Sequence, residues 1–316
     1  TPNEGFYYDG EVTEGFASNP FSTVEDAIRQ ASDNDIIILF PGTHSVNHLS
    51  IHKPITLESL SGATYTNLEA ANGAGIFTIN TVGSVLLEGI HFMGGSLAEG
   101  GGGALQIMLG TVSVSSCSFS GNFAEKGGAI YIEESASLKV ENTAFIGNIA
   151  KYGGAIYGDS SLIEFEDVTF SENYATESGG AIFLQSSFSS HVFAMFSDMV
   201  FLSNKAQHGG AIFANADSIM VFASSSIFNS NSAAENGGAV YLDEGVVAKF
   251  SNFTATGNSA QLGSVLSALK QSQITIQNFV INENTGVSVY GEESDYELSN
   301  GIFKQNWAHA EAEDQR

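Results

Sequence analysis

Apolar residues in this chain alternate with polar ones in short bursts, and the bursts return about every 25 residues. Val85 and Leu87, Val112 and Val114, Leu138 and Val140, Ile163 and Phe165, Ala194 and Phe196, Val221 and Ala223, Ala248 and Phe250, and Ile274 and Ile276 are such pairs. Ser113, Lys139, Glu164, Lys249 and Thr275 stand between the members. Alternation with a period of two is the mark of a half-buried strand. No stretch of helical period lies between these strands, so βαβ units are excluded and the chain is read as all-β.

Two motifs keep the same phase. Gly-Gly-Ala plus an aliphatic residue occurs six times, at Gly102–Leu105, Gly127–Ile130, Gly153–Ile156, Gly179–Ile182, Gly209–Ile212 and Gly237–Val240. Phe-x-x-Asn precedes the last five of these, as Phe119/Asn122, Phe145/Asn148, Phe170/Asn173, Phe201/Asn204 and Phe228/Asn231. Weaker copies stand at Ala255/Asn258 and Ile281/Asn284, a clean one at Phe303/Asn306, and an early one at Phe92 with Gly95 in the Asn slot. A strand-only repeat of this length predicts a right-handed parallel β-helix, about three strands per coil and roughly eleven coils, a rod on the order of 50 Å long. Phe ends one strand, and Asn falls at a turn, where it tolerates left-handed backbone and stacks its amide on the next coil. The second glycines, Gly128, Gly154, Gly180, Gly210 and Gly238, belong to positions needing positive φ or close backbone approach. Length alone suggests two domains; the repeat makes 1–316 one.

Within that single domain, 1–35 is an N-terminal cap, 36–91 the first coils, 92–306 the repeat coils and 307–316 an acidic tail. The cap contains Ser22-Thr23-Val24-Glu25, a capping-box pattern that opens a short amphipathic helix through Ala31. Asp33-Asn34-Asp35 turns it into Ile36–Phe40. This opening resembles that of pectin-lyase-like β-helices, where a helix plugs the first coil and covers an open edge.

Composition narrows function. Ten Lys+Arg against 35 Asp+Glu give a formal charge of −25, which leaves no cation surface for nucleic acid or for anionic membranes. There are 35 Gly and 4 Pro, as continuous sheet pairing requires. Cys117 is the one cysteine, so no intramolecular disulfide forms, and its place two before Phe119 makes it a small core residue. No apolar run spans a membrane as a helix, and the first residues lack the basic and apolar regions of a signal peptide. The chain reads as a mature or excised extracellular fragment with further coils expected beyond it.

Catalysis, cofactor and metal sites find little support. The arginines are Arg29 in the cap and Arg316 at the last position, neither placed for a lyase groove on the middle coils. Glu133-Glu134, Asp159, Asp217 and Asp243-Glu244 follow Gly-Gly-Ala strands, where solvated turns are expected. Paired glycosidase carboxylates are not evident. His44, His48 and His52 are spaced by four, but on extended chain each step covers about 13 Å, too far for shared metal ligation.

Two features exceed what the coil needs. One is the aromatic position two residues after each Ala: Tyr131, Tyr157, Phe183, Phe213, Tyr241 and later Tyr290. With Ile130 and Ile132 inward these rings form an exposed binding stripe; with the aliphatics outside they stack in the core. Both readings stand. The other is the coil between Phe183 and Phe201, longer by about five residues within Leu184–Phe196, whose Phe188 and His191 are candidates for a projecting contact.

Gly-Gly-Ala-[Ile/Leu/Val] alternating with Phe-x-x-Asn over residues 92 to 306 resembles the chlamydial polymorphic membrane protein family, autotransporter adhesins. The resemblance implies a passenger domain on the bacterial outer membrane or secreted, binding a host-cell surface receptor of protein or glycan nature, with self-association open. A carbohydrate-active β-helix enzyme and a structural spacer stalk are the alternatives.

Overall fold

A computed structural model describes residues 6–9 and 20–306, apart from 72, 135, 160, 187–191 and 216–218. The chain winds into a parallel β-solenoid of about ten turns. Within the interior coils three strands recur: a short strand after Gly-Gly-Ala such as Ile130–Ile132, a long one such as Ala136–Ile146, and a short one in a second sheet such as Ile149–Tyr152. The long strand bends where one residue takes left-handed backbone, for example Asn142 (φ 46°) and Asp167 (φ 54°).

The sheet registers align the sequence repeats residue for residue. His44, Leu68, Phe92, Phe119, Phe145, Phe170, Phe201, Phe228, Ala255, Ile281 and Phe303 form one column along the axis. Its rings stack face to face, 4.7 Å between Phe92 and Phe119 and 4.8 Å between Phe119 and Phe145. Where Ala255 interrupts it, Phe253 from the adjacent column leans in, 5.2 Å from the Phe228 ring. The missing volume is thereby refilled, which is why a degenerate copy still closes the core. Cys117 is buried in that adjacent column and receives a bond from Ile90 N at 3.4 Å; burial pushes its thiol pKa up to about 12.

The asparagines form a second column, buried from Asn122 through Asn284. Each side-chain amide donates to the next Asn Oδ1, from Asn122 Nδ2 to Asn148 at 2.9 Å and onward to Asn306. Its second hydrogen goes to a carbonyl of the Phe column, as from Asn148 to Phe119 O at 3.1 Å and, in the weaker copies, from Asn284 to Ala255 O. Left-handed backbone was expected at Asn itself. It falls one residue earlier, at Gly121, Gly147, Glu172, Ser203, Ser230 and Gly257. The Asn needs an inward side chain, so its neighbour makes the turn. At Gly95 the amide is absent and only the backbone half of the pattern remains, its N–H donating to Asn122 Oδ1 at 2.9 Å as Asn122 N does to Asn148 Oδ1.

The two glycines of Gly-Gly-Ala have different jobs. Gly153 has φ 63°, and a Cβ there would lie 2.1 Å from Ile156 O. A Cβ on Gly154 would meet Gly180 O of the next coil at 2.1 Å. The first glycine sets the corner, the second lets neighbouring coils touch.

The cap is a helix, α1, Val24–Gln30. Its N-cap is Thr23, one residue later than the Ser22 of the expected capping box, and Thr23 Oγ1 accepts from Asp26 N at 3.0 Å. Val24, Ala27 and Ile28 are buried over the first coil. Phe6–Asp9 pairs antiparallel with Ile36–Leu39, the one antiparallel pairing among the described strands, and so covers that edge. At the other end the columns finish on half-exposed Leu298 and Phe303.

Candidate functional site

With the Phe and Asn columns inside, function is confined to outward positions and turns. The aromatic column follows neither alternative fully. Ile130 and Ile132 face the core, so the rings face out, yet Tyr157, Phe183, Phe213 and Tyr241 are only 2%, 6%, 7% and 6% exposed and form their own cluster. They sit in the corner beside the second sheet, stacked at 5.0 Å (Tyr157–Phe183) and 4.9 Å (Phe183–Phe213). Side chains from that sheet close over them: Tyr152, 5.4 Å from Phe183; Lys126 Nζ, 5.0 Å above Tyr157; and His208, 5.6 Å from Tyr241. Tyr131 at one end and Tyr290 at the other, beyond Ser267, are partly exposed. The exposed binding stripe is therefore corrected to a buried brace between two sheets. Burial, then Glu133 and Asp159, raise the Tyr131 phenol to about 12. Tyr157 and Tyr241 are raised further, first by burial and then by Asp159 and Asp243 respectively.

Phe188 and His191 lie outside the described residues. The insertion carrying them leaves the registers on either side intact, with Gln185 opposite Asn215 and Val192 opposite Ile219. The three spaced histidines are not brought together: His44 is buried against Phe40 O (2.8 Å), while His48 bonds Thr78 Oγ1 (2.9 Å) and His52 faces Asn80 O (3.3 Å). Among the described residues no group of three His, Cys, Asp or Glu is placed to hold a metal. Asp243, expected in a solvated turn, is 9% exposed and pairs with Lys270 Nζ at 3.2 Å, as does Glu244 at 3.1 Å. Their side-chain hydrogen bonds, Glu244 first, raise the Lys270 pKa. Asp217 lies outside the described residues.

A groove of about 710 Å³ runs over the outer face of the long strands. One outward column there reads Lys139, Glu164, Met195, Phe222, Lys249, Thr275 and Glu297. Beside it lie Leu162 and Phe193, 40% and 37% exposed, next to Met195 at 41%. These apolar outward residues were missed in the sequence, although they carry a signal: Met195 and Phe222 interrupt a column that is otherwise polar from Ser113 to Glu297, with Leu86 and Ile36 apolar nearer the cap. A smaller groove of about 380 Å³ at the cap gathers Arg29, His48, His52 and Lys53. Its cations are engaged: Lys53 Nζ caps α1 through Arg29 O at 3.0 Å, and Arg29 pairs with Asp26.

These columns of stacked parallel strands define a β-solenoid with one capped end. A family model described as the right-handed beta helix region matches residues 37–194, half of the chain, and the chain belongs to that family. A second model, the Chlamydia polymorphic membrane protein repeat, matches residues 225–243, which hold Phe228, Asn231 and Gly237–Val240. No curated protein matches the chain in sequence. Among solved structures, ORF18 of Geobacillus virus E2 is 15% identical with a TM-score of 0.50, covering 90% of this chain and 57% of that one. The catalytic unit of a thermostable GH87 alpha-1,3-glucanase from Streptomyces thermodiastaticus strain HF3-3 is 14% identical (TM-score 0.48), covering 90% of this chain and 66% of that one. A pectin methylesterase from Aspergillus niger, in deglycosylated form, is 12% identical (TM-score 0.44), covering 95% of this chain and 90% of that one. The chain thus spans less than two thirds of the glucanase and viral chains, and at these identities the likeness is one of fold alone.

Proposed function

We propose that this chain is a non-enzymatic passenger domain of an autotransporter, displayed on the bacterial outer membrane or released from it, that attaches bacteria to host cells by protein–protein binding. The observation that carries this reading is the match of a chlamydial polymorphic membrane protein repeat at 225–243. Five further Gly-Gly-Ala copies, at 102–105, 127–130, 153–156, 179–182 and 209–212, repeat its motif in the same sequence. Fold likeness to carbohydrate-active enzymes adds no catalytic residue to this chain. The buried aromatic brace removes one expected contact face, and the groove over the long strands takes its place as the surface to test.

The test is adhesion: beads coated with the protein should bind host cells, and soluble protein should compete. Release of reducing ends or unsaturated sugars from a panel of glycans would replace the adhesin with an enzyme. Intact protein that binds no cell type would leave a spacer stalk.

A further inference from the structure

The outer face of the long strands carries an apolar strip with opposite charge at its two ends. Met195 and Phe222 occupy successive coils of the column that opens with Lys139 and Glu164 and continues with Lys249. Leu162 and Phe193 widen the strip, and the Phe193 and Phe222 ring centroids lie 6.1 Å apart. On the opposite flank Ser197, Ser224 and Ser251 keep the floor low, so the strip borders a groove instead of a flat sheet. The adjoining coils put Ser113, Thr275 and Glu297 at the same position, and Leu86 stands there nearer the cap. Leu162, Phe193 and Met195, 37–41% exposed, cost solvation that polar residues at the same positions would avoid, while Phe222 is half-buried beside them.

The ends differ in sign. Glu164 and Glu166 face outward from one strand, and with Glu141 they share one cation, Lys139, whose pKa is raised first by Glu141 and also by Glu164 and Glu166. Three carboxylates around one ammonium leave that end negative. At the other end Lys249 Nζ stands 6.0 Å from the Phe222 ring centroid and has no carboxylate within ion-pair distance among the described residues. The same arrangement recurs at Lys126 with Tyr157 and Lys151 with Tyr152; Lys249 is the one that borders this groove, beside the half-buried Phe222 ring. From Glu164 to Lys249 is three coils, about 14 Å, the span of roughly four residues of extended chain.

We infer that this groove docks a segment of a partner protein: about four residues of extended chain with apolar side chains, a basic residue at the Glu164/Glu166 end and an acidic residue at Lys249. A sugar needs an open aromatic face, and those of Phe222 are flanked by Phe193 and Lys249. An antiparallel second copy would match the end charges but would bring together two chains of −25 each. The inference takes its biological setting from the adhesin reading, while its test does not depend on it.

A random peptide library is selected on the immobilised protein and counter-screened on Met195→Glu/Phe222→Glu. Both positions point outward, so the variant should keep its circular dichroism and melting temperature; Ile149→Glu, at an exposed apolar site on the second sheet, is the control. Enriched peptides should carry the basic–apolar–acidic order, bind the double variant about tenfold or more weaker, and bind the control unchanged. Lys249→Glu should weaken them about tenfold, and replacing the peptide's acid by lysine should restore binding to that variant. This swap also covers the case in which the double variant unfolds. No enriched peptide, or peptides indifferent to both variants, overturns the inference. Saccharide binding lost on the double variant, or a wild-type dimer that it dissociates, overturns it in favour of a glycan or a second copy. Failure of cell adhesion alone strikes the adhesin reading and leaves the groove to be judged by the peptides.

Discussion

Asn173 sits mid-column, fully buried, with every amide hydrogen-bonding position used. Its Nδ2 donates to Asn204 Oδ1 and to Phe145 O, both at 3.0 Å, and its Oδ1 accepts from Asn148 N and Nδ2, both at 3.0 Å. Asn173→Ala leaves two donors of Asn148 without a partner; Asn204 Oδ1 still receives Asn173 N at 3.0 Å. An orphaned buried donor costs about 1–3 kcal/mol, so the change should destabilise by about 2–6 kcal/mol. Asn173→Asp keeps the acceptor but sets a carboxylate against Asn204 Oδ1 and Phe145 O. Burial and those oxygens raise its folded pKa above the usual ~3.9. With the folded value above the unfolded one, stability is highest below about pH 4 and falls as pH rises through the folded pKa. Asp should therefore be worse than Ala at pH 7 and recover in acid. Solenoid coils interact chiefly with their neighbours and unfold without strict two-state behaviour. Amide exchange at Asn148 and Asn173 is therefore the assay of choice, supported by urea unfolding. Exchange unchanged in Asn173→Ala, or Asn173→Asp more stable at pH 7 than at pH 4, would refute the ladder as a stabilising element.

Other consequences can be measured separately. Gly147 has φ 61° with nothing within 4 Å of a built Cβ, so Gly147→Ala should cost only about 1–2 kcal/mol of left-handed strain. Gly153→Ala adds a collision with Ile156 O and should cost clearly more; equal shifts in denaturation midpoint would refute the division of labour between these corners. Cys117, with its thiol near 12 and buried, should resist a thiol reagent at pH 8 in the native protein and react at once in denaturant. Tyrosine absorbance should show Tyr131 ionising near pH 12 and Tyr157 and Tyr241 later. Since the unfolded thiol of Cys117 releases its proton near 8.5 and the unfolded phenols near 10, stability should begin to fall above about pH 8.5 and more steeply between about pH 10 and 12.

The repeat was legible because a solenoid copies one environment along its axis. Phe119, Phe145 and Phe170 recur in sequence because they share one column. The aromatic position after Gly-Gly-Ala was not decidable that way. Alternation says that Tyr157 and Ile156 point oppositely, while burial of Tyr157 depends on Lys126 and Phe183, which approach it from other coils. The left-handed turn was assigned to Asn by propensity; the need to aim an amide inward moved it to Gly121 and Gly147. The groove leaves no mark in the length of a coil, as the insertion does; its signal is substitution within a column, Met195 and Phe222 standing where Lys139 and Lys249 stand in neighbouring coils.

Parallel pairing between coils points the sheet hydrogen bonds along the rod, and the asparagine amides run the same way. A pull along the axis therefore loads the coils in series, each held to the next by its own set of bonds, and the weakest junction opens alone. One coil peeled from an end releases about 25 residues of chain, on the order of 85 Å when extended. A rod tethered at one end and held at the other would thus lengthen coil by coil under load, as a shock absorber does, before its attachment broke.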